Sequence, residues 1–375
     1  MKRLKRLIKR IVYFCFRIKN IIVFESKPDY ADNTKAVFEE MIQRGVQKKY
    51  KLIWQIQNKK MFVIDQKGVK TVSPIEQRWK WRWYTHRAKI FVSCNAFLSA
   101  KREGQISFYL SHGTPLKSVR DYYNIPDTID YAFCAGEGIK DIYCYELNFD
   151  EDKVVTLGYP RNDELSNFDI NVKELFEGDF EKIAVWYPTF RQSKNKLAIA
   201  QGNALPIIYD ANTAKRLNEY AKERKVLLVL KPHFAQDLSY LKQTELSNIR
   251  FINDDFFVQN NLSSYQFVGN CDALITDYSS IYYDFTLCDK PIALIWEDIE
   301  EYKEKPGLVD GYEFYTKGGE KIYTIEDFEG FIDRLSKGID VLKEERNEIK
   351  RLSNFADDGQ NSKRVVDFIM EKIEA

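Results

Sequence analysis

The sequence is poor in the residues that build metal and disulfide sites. It has three histidines and six cysteines among 375 residues, with no C-x-x-C pair and no H-E-x-x-H motif. A zinc site and a disulfide framework are therefore disfavoured, and the cysteines are expected to be buried thiols in a reducing compartment. We expect no catalytic metal and no cofactor.

Other common signatures are absent as well. Neither G-x-G-x-x-G nor G-x-x-x-x-G-K-[ST] occurs, which disfavours a dinucleotide dehydrogenase and a P-loop enzyme. The apolar run at 11–16 is far shorter than the roughly 20 residues of a membrane-spanning helix. The net charge is only +1, so the chain as a whole implies no polyelectrolyte partner such as nucleic acid.

Positive charge is concentrated in the first 20 residues. They hold eight Lys and Arg and no Asp or Glu, whereas residues 21–375 hold 49 Lys and Arg against 56 Asp and Glu. Apolar side chains recur there at helical spacing, at Leu4, Leu7, Ile8, Ile11 and Cys15. We predict that residues 1–20 form a basic amphipathic helix on an anionic membrane surface. A solvated helix packed on the domain, or a nucleic-acid arm, is the alternative.

Short apolar runs alternate with amphipathic segments along the rest of the chain, on either side of a break near 165–181. The candidate strands are 21–26, 51–56, 61–65, 89–94, 106–111, 131–136 and 154–159, then 182–190, 225–233, 249–253, 272–278 and 290–298. This rhythm predicts an α/β fold of two Rossmann-like domains, at 21–175 and 176–345, that face a cleft. Residues 346–375 are predicted to be C-terminal helices.

Two of the three histidines stand at predicted strand ends, one in each half. His112 follows the run ISFYL, and His233 ends the run KVLLVLKPH. Thr114 and Pro115 suit the first positions of a helix, so we predict that His112 and Gly113 form a strand-to-helix corner. Facing domains would bring both histidines to one cleft, which favours an acid/base or ligand role over the closing of a turn.

The stretch ALITDYSS predicts a third corner. Asp277, Ser279 and Ser280 follow a strand and open a helix, whose free N–H groups suit a phosphate. A simple N-cap explains one of these residues but not all three. Cations near strand ends could also bind phosphate, or form surface ion pairs instead: Lys117, Arg161, Arg191 and Lys231.

The motifs HGTPLK, GYPRND, YPTFRQ, KPH and ITDYSSIYYDF occur in an order that resembles the CDP-glycerol glycerophosphotransferases of teichoic acid synthesis. The resemblance covers residues 21–365 and implies a glycosyltransferase-B fold. It implies an N-terminal acceptor domain and a C-terminal CDP-donor domain. It also implies transfer of glycerol phosphate from CDP-glycerol to a lipid-linked saccharide at the cytoplasmic face of the bacterial membrane, where the protein is peripheral.

The same resemblance implies roles for individual residues. The acid/base residues are His112 and His233. The donor-phosphate ligands are Arg191, Lys231, Asp277, Ser279 and Ser280. Weaker expectations for acceptor or phosphate binding fall on Gly113, Thr114, Lys117 and Arg161.

Several alternatives stay open at the level of sequence. The chain is shorter than the long polymerase members, so a single-module, primase-like member is expected. The donor could instead be CDP-ribitol or another CDP-polyol. A nucleotide-sugar glycosyltransferase or a UDP-sugar epimerase shares the expected fold, and a membrane-bound scaffold would bind no nucleotide. A nucleic-acid partner is not expected, because the body of the chain is net acidic.

Overall fold

A computed structural model describes residues 16–57, 67–98, 102–122, 125–166, 170–189, 205–232, 238, 241 and 244–374. The predicted site residues Arg191 and His233 lie outside these ranges. So do residues 1–15 of the predicted N-terminal helix and the predicted strand at 61–65. In the part of the chain that is described, no helix combines the length and apolar character needed to cross a bilayer.

The first half of the chain forms a sheet of seven parallel strands: β1 (Ile21–Glu25), β2 (Lys51–Gln55), β3 (Val69–Val72), β4 (Ile90–Ser93), β5 (Ile106–Tyr109), β6 (Tyr131–Cys134) and β7 (Val154–Thr156). Their spatial order is β3-β2-β1-β4-β5-β6-β7. The order reverses beside β1, which is where ligands bind in open α/β sheets, at the carboxyl ends of the strands.

The second half forms a sheet of six parallel strands: β8 (Lys182–Trp186), β9 (Val226–Leu230), β10 (Ile249–Phe251), β11 (Ala273–Thr276), β12 (Ile292–Ile295) and β13 (Glu320–Ile322). Their order is β10-β9-β8-β11-β12-β13, with the reversal between β8 and β11. The predicted α/β class with two parallel sheets is therefore confirmed. The short strands β3 and β13 were not predicted from sequence.

Helices cover both sheets: α1 (Asp32–Gln43), α2 (Arg78–Arg87), α3 (Lys140–Leu147), α4 (Ala211–Glu223), α5 (Asp254–Gln259), α6 (Ser264–Asn270), α7 (Ile281–Phe285), α8 (Ile299–Glu304), α9 (Tyr312–Tyr315), α10 (Ile325–Ser336), α11 (Lys343–Ser353) and α12 (Asn361–Glu374). Because helices bury both faces of the sheets, strands such as β9 (VLLVL) and β12 (IALI) are continuous apolar runs and completely buried.

The last helix, α12, returns to the first sheet. Its buried residues Val365, Val366 and Ile369 belong to the same hydrophobic core as β1 and β2. Asp163, in the motif GYPRND, accepts hydrogen bonds from the backbone N–H groups of Asn361 (2.8 Å) and Ser362 (2.7 Å) at the start of α12. A carboxylate at this position satisfies the free N–H groups of the helix and complements its dipole.

The strand before His112 was predicted correctly, but the helix expected from Thr114 onward was wrong. In the described stretch 102–122, residues 112–119 are not helical. Their backbone bonds to the other half of the chain instead: Ser118 donates to Gly307 O (3.0 Å), and Leu116 O accepts from Val309 N (3.1 Å). Long-range pairing thus overrides the local helix-start signal.

Candidate active site

His112 lies directly after β5 in a strained stretch of backbone. Ser111 before it has φ +61° and Gly113 after it has φ +144°. The positive φ of Ser111 costs free energy and is held only where the surrounding structure fixes it, whereas glycine adopts such a φ readily. The turn leaves the His112 side chain 59% exposed, with its Nδ1 in contact with Oδ2 of Asp32.

Asp32 is the first residue of α1 and is almost completely buried. Burial alone would raise the pKa of Asp32, but the nearby charges of Arg161 and His112 outweigh burial and hold that pKa well below its usual range. The carboxylate is therefore ionised near neutral pH and accepts a hydrogen bond from His112 Nδ1. The other ring nitrogen, Nε2, then carries the lone pair that a general base needs.

Arg161, in the motif GYPRND, bonds to both Asp32 and His112. Its Nη1 donates to Asp32 Oδ1 (2.7 Å) and to the backbone oxygen of His112 (2.8 Å). Its Nη2 donates to Oδ2 of Asp284 (2.7 Å), which lies in α7 of the second half. Burial alone would lower the pKa of Arg161, whereas Asp284 and Asp32 raise it well above its ordinary value.

Further polar groups complete the network around Asp284. Tyr265 donates its hydroxyl to Asp284 Oδ2 (2.6 Å), and Asn162 Nδ2 donates to Oδ1 (3.1 Å). On the other side, Asn33 bonds to the backbone oxygens of Leu110 (3.2 Å) and Ser111 (3.0 Å). A buried charged group is tolerated only when it is paired and hydrogen-bonded, and this network meets both conditions.

A cavity of about 270 Å³ opens beside His112, and we call it the His112 cleft. Both halves of the chain line it, with residues 111–117 from one side and 278–280 from the other. Six residues that the sequence singled out meet there: His112, Gly113, Thr114, Lys117, Ser279 and Ser280. The structure thus brings the histidine of one half to the serine corner of the other.

Gly113 is required by the close contact of the two halves. A Cβ atom at this position would lie 2.5 Å from Ser280 Oγ, 2.9 Å from Ser280 Cβ and 3.1 Å from Arg161 Nη2. Any side chain would therefore push the serine corner away from His112. Its positive φ adds a second reason for glycine.

The remaining predicted residues have other surroundings. Asp277 is completely buried and accepts hydrogen bonds from Thr189 N (2.8 Å) and Tyr278 N (2.7 Å), so it fixes the chain just after β8. Lys231 lies 2.9 Å from Asp254 and is not among the residues that line the His112 cleft. Arg161 is buried, with both Nη atoms bonded to carboxylates.

Asp32, Asn33, Tyr265 and Asp284 were missed as site residues. Asp32 had one signal in the sequence, because it follows β1 at the start of an amphipathic helix, the position of a ligand-binding corner. Asp284 lies inside an apolar stretch, YYDF, where an acidic residue is out of place unless it has a buried partner.

Comparisons with known proteins find relatives over most of the chain. A teichoic acid glycerol-phosphate transferase of Staphylococcus aureus is 25% identical, covering 98% of this chain and 99% of its own length. A teichoic acid poly(glycerol phosphate) polymerase of Bacillus spizizenii is 26% identical, covering 80% of each chain. The solved structure of the wall teichoic acid polymerase TagF superposes with a TM-score of 0.74 at 21% identity, over 100% of this chain and 96% of that one.

The family model described as CDP-glycerol:poly(glycerophosphate) glycerophosphotransferase matches residues 7–371. The match spans both sheets and the His112 cleft between them. The chain therefore belongs to this family of transferases.

Proposed function

We propose that the protein transfers glycerol phosphate from CDP-glycerol to a hydroxyl group of a membrane-linked acceptor, a polyprenyl-diphosphate saccharide, and releases CMP. The product is a teichoic acid or a related cell-surface polymer, made at the cytoplasmic face of the bacterial membrane. The observation that carries the proposal is the His112 cleft, in which a histidine backed by an ionised carboxylate faces the Ser279–Ser280 corner.

The chemistry proposed for His112 begins with a proton transfer. Nε2 of His112 accepts the proton of the acceptor hydroxyl as its oxygen attacks the glycerol-side phosphorus of the donor. A new P–O bond forms, and the bond from that phosphorus to the bridging oxygen breaks. The bridging oxygen leaves with the electron pair as part of CMP, so no covalent enzyme intermediate is needed.

Groups on both sides of the cleft stabilise the charge that develops during the transfer. The hydroxyl groups of Ser279 and Ser280 donate to the donor phosphates, and the Lys117 ammonium offsets negative charge at the rim of the cleft. Asp32 is a positioning residue in this scheme, because it touches His112 and not the substrate. His233 and Arg191 are proposed as the second acid/base group and a further phosphate ligand.

The segment 1–20 is proposed to hold the enzyme at the bilayer where the lipid-linked acceptor resides. Its eight cations and its apolar stripe match an anionic lipid surface. This arrangement would keep the acceptor domain, 21–175, next to the membrane. The donor, which is water-soluble, reaches the second domain, 176–345, from the cytoplasm.

A CMP-release assay with the full chain tests the transfer. CDP-glycerol, CDP-ribitol and a UDP-sugar are offered in turn with a lipid-linked saccharide acceptor. We expect acceptor-dependent CMP release that is fastest with CDP-glycerol. Faster release with CDP-ribitol would reassign the polyol, and turnover of the UDP-sugar without CMP release would favour the glycosyltransferase or epimerase alternative.

The His112→Asn variant tests the acid/base role in the same assay. We expect turnover to fall about 10²–10⁴-fold while donor binding stays normal, since the variant lacks the base but keeps a polar side chain. His86→Asn is the matched control, because His86 lies on α2, outside the cleft, with its Nδ1 against Arg82 O (2.9 Å). Near-normal turnover by a folded His112→Asn protein would remove His112 from the mechanism.

A further inference from the structure

The outer face of α2 exposes large apolar side chains. Trp79 is 79% exposed and Trp83 is 46% exposed, and Ile75 in the preceding turn is 77% exposed. Trp79 and Trp83 are four residues apart, so they lie on the same side of the helix. We call this surface, formed by Ile75, Trp79, Trp83 and the cations between them, the α2 outer face.

The opposite side of α2 explains why these indoles point outward. Tyr84 and Ala88 belong to a buried core with β1 and β2, and Trp81 packs against that core. Trp81 also donates its indole N–H to Gln55 (2.7 Å). One aromatic side of α2 thus packs against the sheet. The other aromatic side, with Trp79 and Trp83, lies outside the core.

The α2 outer face is also strongly basic. Residues 75–102 contain seven Lys and Arg and one acidic residue, the exposed Glu76. Arg82 lies over the Trp79 ring (5.5 Å to the centroid), and Arg87 lies over the Trp83 ring (4.5 Å). Each exposed indole therefore carries a cation beside it, although the chain beyond residue 20 is net acidic.

The N-terminal segment joins the protein at this same face. Phe16 packs edge-on against Trp83, with ring centroids 5.3 Å apart, and lies 5.8 Å from the His86 ring. Lys19 N donates to Arg87 O (2.8 Å), and Arg102 bonds to the backbone oxygen of Phe16. The described end of the basic segment, residues 16–20, therefore lies at the α2 outer face.

We propose that the α2 outer face binds the surface of an anionic lipid bilayer, as a membrane contact additional to the N-terminal segment. Indoles prefer the boundary between headgroups and acyl chains, where the ring is buried and the N–H stays hydrated. Arginine and lysine stems cover apolar surface while their charged ends reach lipid phosphates. The combination of exposed indoles and an excess of neighbouring cations over the single carboxylate, Glu76, matches this environment.

Vesicle binding by the full chain tests the proposal. The wild type should bind vesicles containing phosphatidylglycerol more tightly than phosphatidylcholine vesicles, and salt should weaken the binding. Trp79→Ser/Trp83→Ser should weaken binding about tenfold, because the interfacial anchors are lost. Arg78→Gln/Arg82→Gln should weaken it by about 10- to 30-fold, since each cation near an anionic surface contributes on the order of 1 kcal/mol.

A matched control is available on α3. Tyr145 is 61% exposed, and Arg120 lies over its ring (4.1 Å), so this pair is also an exposed aromatic with a cation. Tyr145→Ser should leave vesicle binding unchanged. Full vesicle binding by Trp79→Ser/Trp83→Ser would overturn the proposal. Loss of self-association or of nucleic-acid binding by that variant would then assign the α2 outer face to another partner.

Tryptophan quenching locates the contact directly. Trp54, Trp186 and Trp296 are buried and Trp81 is half-buried, so lipids with brominated acyl chains should quench mainly Trp79 and Trp83. Trp79→Phe/Trp83→Phe should still bind vesicles but lose this quenching. Absence of quenching in vesicle-bound wild type would mean that docking occurs only through the N-terminal segment, and the proposal would fail.

The inference concerns a surface outside the His112 cleft and does not depend on the transfer chemistry. CMP release with a water-soluble acceptor analogue should be the same for wild type and Trp79→Ser/Trp83→Ser. If the wild type released no CMP, the proposed function would fail while the vesicle result would stand. A variant that loses soluble-acceptor turnover together with vesicle binding would count against a purely membrane-contacting face.

Discussion

Nη2 of Arg161 lies 2.7 Å from Oδ2 of Asp284, and this buried ion pair joins the two halves of the protein at the His112 cleft. The other terminal nitrogen of the same guanidinium bonds to Asp32, the partner of His112. The position of the histidine in the first half is thus connected to α7, which follows the serine corner in the second half. We infer that His112 is correctly placed only when the two halves are docked.

Replacing Arg161 with methionine should strongly destabilise the protein. The change leaves the carboxylates of Asp32 and Asp284 buried without their shared cation, and loss of one partner of such a pair costs about 3–5 kcal/mol. Urea unfolding followed by circular dichroism measures the difference. Arg216→Met is the control, because its pairs with Glu326 and Glu329 are on the surface, and it should change stability little.

Replacing Asp32 with asparagine should impair turnover more than donor binding. The amide cannot provide the negative charge that orients His112 through Nδ1, so kcat should fall by at least about 10²-fold. The donor KM should change little, since Asp32 does not touch the proposed donor site. The pH profile of kcat should shift as well, and Asp32→Glu should restore part of the activity.

The control for Asp32 is Asp163→Asn. Asp163 is a half-buried carboxylate close in sequence to Arg161, and it caps α12. Its variant should lose stability and keep the wild-type pH profile. If both variants lost stability equally and neither changed the pH profile, Asp32 would have a structural role only.

Replacing Gly113 with alanine should push the two halves apart. The added methyl group meets Ser280 Oγ at 2.5 Å, and overpacking of this kind costs about 1–3 kcal/mol. We expect a lower melting temperature and a lower kcat/KM. Gly338→Ala is the control: its φ is also positive, at +67°, but nothing lies within 4 Å, so only the backbone cost applies. Adding Ser280→Gly to Gly113→Ala should relieve the clash with the serine and recover part of the stability, though not activity; the positive φ of position 113 and its contact with Arg161 remain.

Lys321 should make stability depend on pH above neutrality. Burial lowers its pKa to about 7 from an ordinary 10.5. Between these values the unfolded chain binds more protons than the folded one, so the free energy of unfolding should rise as pH increases from 7 toward 10. Lys321→Met should abolish this component, as measured by urea unfolding at pH 6.5–9.5. A parallel pH dependence in wild type and variant would contradict the prediction.

Much of the fold follows from the sequence because local pattern decides it. Strands buried on both faces must be apolar at every position, so VLLVL and IALI identify β9 and β12 without any tertiary information. The same rhythm separates the chain into two series of parallel strands. His112 follows β5, and Ser279–Ser280 follow β11. These residues could be selected from the sequence because the carboxyl ends of parallel strands lie at one edge of a sheet.

The partners of those residues could not be found this way. Asp32 and His112 are 80 residues apart, Arg161 and Asp32 are 129 apart, and Arg161 and Asp284 are 123 apart. Thr114 and Pro115 carry a helix-start signal, yet their segment pairs with residues 307–309. Periodicity and capping act over a few residues, so the sequence by itself determined the strands and their terminal side chains. Only the docking of the two sheets decided which distant charges meet, because burial and pairing depend on the whole packed chain.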